Sequence, residues 1–262
     1  YRTYHLEGHE VKRGVHKVTW ALDSIEKSGY PHFMLKEIYE QPSSVADVMR
    51  GRILPGSGDA RLGGILEHES ELAQVERIVI TACGTSWHAG LVGEYMLEEL
   101  AEVPVSVEYA SEFRYRNPVL EEGTLTLAIS QSGETADTLA ALTEAGQRGS
   151  TTMGVVNAVG STISRQTDFG IYLHAGPEIG VASTKAFTSQ LVALSLFTMF
   201  MGRRRSMSAS RGHEIAQHLQ MLPAQIQEVL KLEEEIRELA RGYKDAQNFL
   251  YLGRGYQFPV AL

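Results

Sequence analysis

The sequence predicts a doubly wound α/β fold, one open parallel sheet with helices on both faces, preceded by an N-terminal linker segment. Two observations carry that prediction. Five short runs, at 77–82, 103–109, 124–130, 151–157 and 169–174, are apolar almost without interruption, as expected of strands covered on both faces. Helical stretches, notably 135–148 and 183–201, stand between and after them. The strands are therefore joined by crossovers, and right-handed crossovers gather the turns that follow them along one edge of the sheet.

Taken in order, residues 1–11 alternate polar and aromatic positions and read as an edge strand, and 15–25 has near-helical apolar spacing. Pro31 and Pro42 bracket a short helix or linker, because proline disfavours helix at the residue before it. Pro55-Gly56-Ser57-Gly58 is a loop, and 62–72 reads as a helix. The first strand breaks at Cys83-Gly84-Thr85-Ser86, and a helix follows to about Ala101. The stretch 191–201 is too short to cross a membrane and reads as a buried helix. Residues 210–244 read as wholly helical, with a boundary at Pro223. Asn248-Phe249-Leu250-Tyr251-Leu252 reads as one more buried strand, breaking at Gly253-Arg254-Gly255. It repeats the strand and glycine turn of 78–86 and suggests the start of a second α/β unit. The patterning thus sets 76–245 apart from what precedes it, with 246–262 as the start of the next unit.

Composition narrows the class. The 262 residues are 43% hydrophobic, with 24 Lys+Arg against 32 Asp+Glu and a net charge of −8. That supplies a sizeable core. No run of about 18 apolar residues occurs, so no membrane-spanning helix is expected. An acidic balance without basic blocks argues against nucleic acid as a partner. The local run Arg203-Arg204-Arg205 is expected to close a helix, where cations meet the negative end of the dipole. The single cysteine, Cys83, excludes an intramolecular disulfide framework. With no signal peptide visible, a reducing cytoplasm is the expected compartment. The absence of an initiator Met and the mid-pattern end suggest a piece of a longer chain.

The most informative segment is Leu127-Ala128-Ile129-Ser130-Gln131-Ser132-Gly133-Glu134-Thr135. A buried strand delivers Ser130 to the sheet edge, and a helix then opens with free N–H groups that form an anion site. Gly133 lets the backbone approach closely, while Ser130, Ser132, Thr135 and Gln131 add polar groups. Plain helix capping is the alternative, although one cap needs one side chain and four crowd this turn. Cys83-Gly84-Thr85-Ser86 is a second hydroxyl-rich turn after a strand, and strand ends in such sheets converge on a crevice. Neither turn matches the nucleotide-triphosphate loop or the dinucleotide fingerprint, so a smaller phosphate ester is the expected ligand.

Glu178-Ile179-Gly180-Val181-Ala182-Ser183-Thr184-Lys185 again runs from a turn into a helix. Ser183 either caps that helix or contacts ligand. Lys185 is expected in solvent, with a Schiff-base role as the alternative. Cys83 is expected to pack rather than react. His5 and His9 lack a third metal ligand, and Glu233-Glu234-Glu235 reads as a solvated face.

These turns resemble the motifs of the sugar isomerase (SIS) domain family. Lys36-Glu37-Ile38-Tyr39-Glu40-Gln41-Pro42, Ala110-Ser111-Glu112-Phe113-Arg114-Tyr115-Arg116 and Leu252-Gly253-Arg254-Gly255 narrow the resemblance to the glutamine-dependent fructose-6-phosphate aminotransferases. That resemblance implies a glutaminase domain releasing ammonia and two SIS domains making glucosamine 6-phosphate from fructose 6-phosphate. By motif position, Ser86, Ser130, Gln131, Ser132 and Thr135 are expected to hold the sugar phosphate, and Thr85, Val181 and Ser183 to touch the sugar. The same resemblance implies that 1–29 are the end of the glutaminase domain, 30–75 the linker and lead-in helices, 76–245 the first SIS domain and 246–262 the start of the second. The glutaminase cysteine, the isomerase glutamate base, the ring-opening histidine and the Schiff-base lysine fall outside this sequence, so no catalytic residue is expected within it and no activity from it alone. No cofactor or metal is implied, and a homodimer is expected. The alternatives are a non-catalytic SIS sugar-phosphate sensor, which usually carries a DNA-binding helix-turn-helix not apparent here, and a sugar-phosphate deglycase, which the linker disfavours.

Overall fold

The computed structural model describes residues 26–54 and 56–262, together with the backbone of two short strands, β1 (Thr3–Tyr4) and β2 (Glu10–Val11), which pair antiparallel. The helix expected over 15–25 and the pair His5 and His9 lie outside the described residues. A long helix, α1 (Phe33–Met49), leads into a small hairpin of β3 (Ile53–Leu54) and β4 (Asp59–Ala60), then a 3-10 turn (Gly63–His68) and α2 (Glu69–Ala73). Where a single helix was expected over 62–72, the 3-10 turn replaces its first half. Gly64 packs so tightly on the last sheet strand that a Cβ there would lie 2.1 Å from the Gly170 carbonyl oxygen.

Five strands form the sheet: β5 (Arg77–Ala82), β6 (Val105–Tyr109), β7 (Thr124–Ser130), β8 (Thr151–Val156) and β9 (Phe169–Tyr172). All neighbours are parallel, in the order β6-β5-β7-β8-β9. Between them run α3 (Thr85–Ala101), α4 (Ala110–Tyr115), α5 (Ala136–Gln147) and α6 (Thr162–Gln166), and α7 (Lys185–Arg203) follows β9. The expected sheet is therefore present, with β6 beginning at Val105 instead of 103. Pro104 has no N–H to give a ladder, though its carbonyl still accepts from Ile78 N at 2.9 Å.

Alternate residues of the strands enter different cores, which is what a sheet covered on both sides requires. Ile78, Ile80, Leu125, Leu127 and Ile129 join the large cluster with Leu97, Leu194 and Phe197. Val79 turns the other way to Phe113 and Ala141, and Ala128 to Leu142 and Ile163. Helix α7 is buried along most of its length and ends at Arg203, with Arg204 as its C-cap, as the basic run predicted.

Two prolines do not end their helices. Pro42 lies inside α1 and Pro223 inside α8 (Ala209–Leu230); the break falls at Lys231-Leu232, before α9 (Glu233–Gly242). An interior proline costs about 3 kcal/mol, and α8 offsets it by packing on both α1 and α7. The strand expected at 248–252 is absent: these residues are irregular, and Leu250 is 84% exposed. A strand without a neighbouring strand has no partner for its backbone groups, and the described residues offer it none.

The chain ends in α10 (Phe258–Ala261), which returns to α3: the Pro259 carbonyl lies 2.9 Å from His88 Nδ1, and the Tyr256 hydroxyl donates to Glu99. Burial, then the Glu99 carboxylate, push the Tyr256 hydroxyl up to about 12 from its ordinary 10.0. A raised pKa means that the protonated form is favoured by folding, so this contact is fully present below pH 10 and is lost as pH rises through about 12. A spectrophotometric titration at alkaline pH, taken as the difference between wild type and Tyr256→Phe, should show one late-titrating phenol. A normal phenol in that difference would mean that the tail is undocked.

Candidate functional site

The order of the strands places the site. The chain moves one way from β5 to β6, then back past β5 to β7, so the turns after β5 and β7 part above the sheet and leave a crevice. Cys83-Gly84-Thr85-Ser86 forms one wall and Ser130–Thr135 the other, with Val181, Ala182 and Ser183 as a third, around a cavity of about 420 Å³. All eight residues expected at the site, Thr85, Ser86, Ser130, Gln131, Ser132, Thr135, Val181 and Ser183, line this one cavity.

Glycines make the two turns possible. Gly84 has φ 57° and ψ −139°, a region open to residues without a Cβ. Gly133 has φ 66°, and a Cβ on it would fall 2.0 Å from Ser161 Oγ. Ser130, almost fully buried, accepts the Gly133 N–H at 2.9 Å and stands 3.3 Å from Thr135 Oγ1. Ser132 Oγ accepts the Glu134 N–H at 3.2 Å. Each serine oxygen thus accepts from backbone; Ser132 keeps its own proton to give away, and of Ser130 and Thr135, which share one hydrogen bond, one keeps its proton as well.

Thr135 is the N-cap of α5, yet its side chain makes no capping hydrogen bond. The hydroxyls therefore organise the turn before the helix while the first amides of α5 stay free, the condition for an anion at a helix N-terminus. Glu134 turns away, its carboxylate accepting the Thr162 N–H at 2.8 Å, and the hydrogen bonds from Thr162 hold it below the usual carboxylate range. No lysine or arginine is among the residues lining the cavity, so its donors are neutral groups and helix dipoles.

Ser86 is oriented from behind. Gln190 Nε2 of α7 donates to Ser86 Oγ at 2.9 Å, and both residues are buried. The sequence reading passed over Gln190, although an amide beside the apolar run that follows it in α7 was a visible signal. The third wall rests on two carboxylates. Glu178 accepts from Ser183 Oγ at 3.0 Å and from the Thr184 and Ala186 N–H groups at 2.9 and 3.1 Å, so it caps α7 in place of Ser183. Glu37 of α1 holds Ile179 and Gly180.

Lys185 departs from expectation. It is 3% exposed and pairs with Glu40 at 2.6 Å, because α1 packs across the start of α7 where solvent was expected. Cys83 is half-buried at the crevice and borders the Val79–Phe113 cluster. Glu234 and Glu235 are exposed, whereas Glu233 is half-buried and takes a hydrogen bond from Tyr39. Among the described residues no three His, Cys, Asp or Glu side chains stand close enough for a metal ion, and no helix is long and apolar enough to cross a membrane.

A parallel sheet with a hydroxyl-lined crevice at its switch point defines an α/β ligand-binding domain. Residues 71–200 match the SIS domain model, so the chain contains a SIS domain. It is 51% identical over 257 residues to the glutamine–fructose-6-phosphate aminotransferase (isomerizing) of Chlorobaculum tepidum, which covers 98% of this chain and 42% of that protein. The namesake of Bacteroides thetaiotaomicron is 48% identical, with the same coverage. Among solved structures, the C-terminal domain of glucosamine-fructose-6-phosphate aminotransferase from Francisella tularensis superposes with a TM-score of 0.85 at 39% identity, covering 90% of this chain and 66% of that one. The chain therefore spans about two fifths of the length of the curated relatives it matches, and corresponds in them to a segment that contains a SIS domain.

Proposed function

We propose that the crevice binds a hexose 6-phosphate, fructose 6-phosphate and its amino product glucosamine 6-phosphate, within a protein that transfers the amide nitrogen of glutamine to fructose 6-phosphate. The observation that carries the reading is the turn Ser130–Thr135, with hydroxyl protons and helix amides converging on one side of a cavity free of cationic side chains. A phosphate there accepts from Ser130, Ser132 and Thr135 and from the first amides of α5, in place of water. Thr85, Ser86 and Gln131 flank it, and Val181 and Ser183 stand where the sugar extends. The names of the relatives support the aminotransferase over a sensor. The exposed apolar run 249–252 fits the first strand of a second α/β unit, and residues 30–75 fit a linker to a glutaminase domain. A homodimer and a cytoplasmic location complete the reading.

Titration calorimetry of the 262-residue chain tests it. Fructose 6-phosphate should bind at least tenfold more tightly than fructose, since charge-assisted hydrogen bonds contribute about 1.5–3 kcal/mol each. Equal affinity for the two sugars would show that the turn holds no phosphate.

A further inference from the structure

We propose that Glu37, on the linker helix α1, is the positioning residue for the sugar side of the crevice; this rests on the reading above. Its side chain is buried, the residue being 2% exposed, yet it carries a carboxylate. Burial of a charge is tolerated where hydrogen bonds satisfy it, and here the donors are backbone. Glu37 Oε1 accepts from Ile179 N at 2.6 Å and from Gly180 N at 3.0 Å, and Oε2 accepts from Gly180 N at 3.1 Å. Gly180 is needed at this spot, because a Cβ on it would lie 2.5 Å from Glu37 Oε2.

The next residue, Val181, is 106% exposed and lines the cavity. A wall that presents a fully exposed valine to a crevice has no packing of its own to hold it. Glu178 secures the far end of the segment through Ser183, Thr184 and Ala186, and Glu37 secures the near end. Charge-assisted hydrogen bonds are the strong kind, and a loop ordered before the ligand arrives spares the complex that entropy. Glu37 lies outside the SIS match at 71–200. The domain thus supplies the phosphate turn, and the linker supplies the group that sets the sugar wall.

The two ends of the ligand separate the test from a general loss of structure. Wild type, Glu37→Gln and Gly180→Ala are titrated with fructose 6-phosphate and with inorganic phosphate, which reports only the Ser130–Thr135 turn. Glu37→Gln sets an amide donor among N–H groups, and Gly180→Ala pushes the carboxylate off the loop while leaving Glu37 in place, so one variant covers for the other if folding fails. The expected result is an about tenfold fall in the preference for fructose 6-phosphate over phosphate, with phosphate affinity unchanged. An unchanged preference in both variants overturns the proposal and leaves the phosphate reading standing. Parallel loss of both ligands assigns Glu37 a structural role and also overturns it. If wild type binds neither ligand, the phosphate reading itself fails and the proposal goes with it.

Discussion

Ser132→Asp is expected to abolish measurable fructose 6-phosphate binding while leaving stability within about 0.5 kcal/mol of wild type, as for an exposed substitution. The side chain of Ser132 is exposed, and its fold role is to accept the Glu134 N–H. Aspartate accepts the same kind of bond two residues on, so the turn survives. A phosphate in the crevice meets the change quite differently. A unit charge at about 4 Å repels another by about 4 kcal/mol at the effective dielectric of a protein surface, and the donated hydroxyl proton is lost as well. At 1.4 kcal/mol per decade the affinity falls about a thousandfold or more. Ser132→Ala removes only the hydroxyl and should weaken binding about tenfold to a hundredfold. Calorimetry and a melting curve on the two variants check this. Intact melting with unaltered affinity for Ser132→Asp would place the phosphate elsewhere.

The second large effect concerns the pair that joins α1 to α7. The Lys185 side chain is 4% exposed and that of Glu40 30%, so the two partners are not equivalent. Glu40→Leu leaves an ammonium group buried without its carboxylate, and breaking a buried pair in this way costs about 3–5 kcal/mol. The low end, about 3 kcal/mol, is expected because the pair has some access to water. Lys185→Met leaves Glu40 near solvent and 3.6 Å from Lys36, so it should cost about 1 kcal/mol or less. The double variant places two apolar side chains between the helices and should recover most of the loss. Urea denaturation of the three variants gives the cycle. Equal costs for the two single changes would mean that the pair is as wet on the lysine side as on the glutamate side.

The sheet was legible because its cause is local. Residues 77–82 and 124–130 are short runs, mostly apolar and with no residue larger than threonine on their polar positions after Arg77, and a strand covered on both faces accounts for so short a run being so completely buried. The crevice followed, since hydroxyls and glycines directly after a buried strand can only stand at the sheet edge. Features that depend on a distant partner were not legible. Pro223 reads as a helix end until α1 and α7 are seen to hold α8 together. Residues 248–252 read as a strand because strand propensity is written in the residues, whereas the neighbour that makes a strand is not.

The sequence by itself determined the parallel α/β sheet, the two polar turns at its edge and the residues that face one another across them, because strand periodicity and turn chemistry act over a few residues. Only the tertiary structure decided that α5 starts without a side-chain cap, that Gln190 aims Ser86, that Glu37 pins the loop before Val181 and that Lys185 is buried against Glu40. The last three join groups that the sequence does not bring together: Gln190 lies 104 residues from Ser86, Glu37 142 residues from Ile179, and Lys185 145 residues from Glu40. Polar groups of that kind look solvent-facing in a sequence, since burial of a charge depends on a partner that only packing supplies.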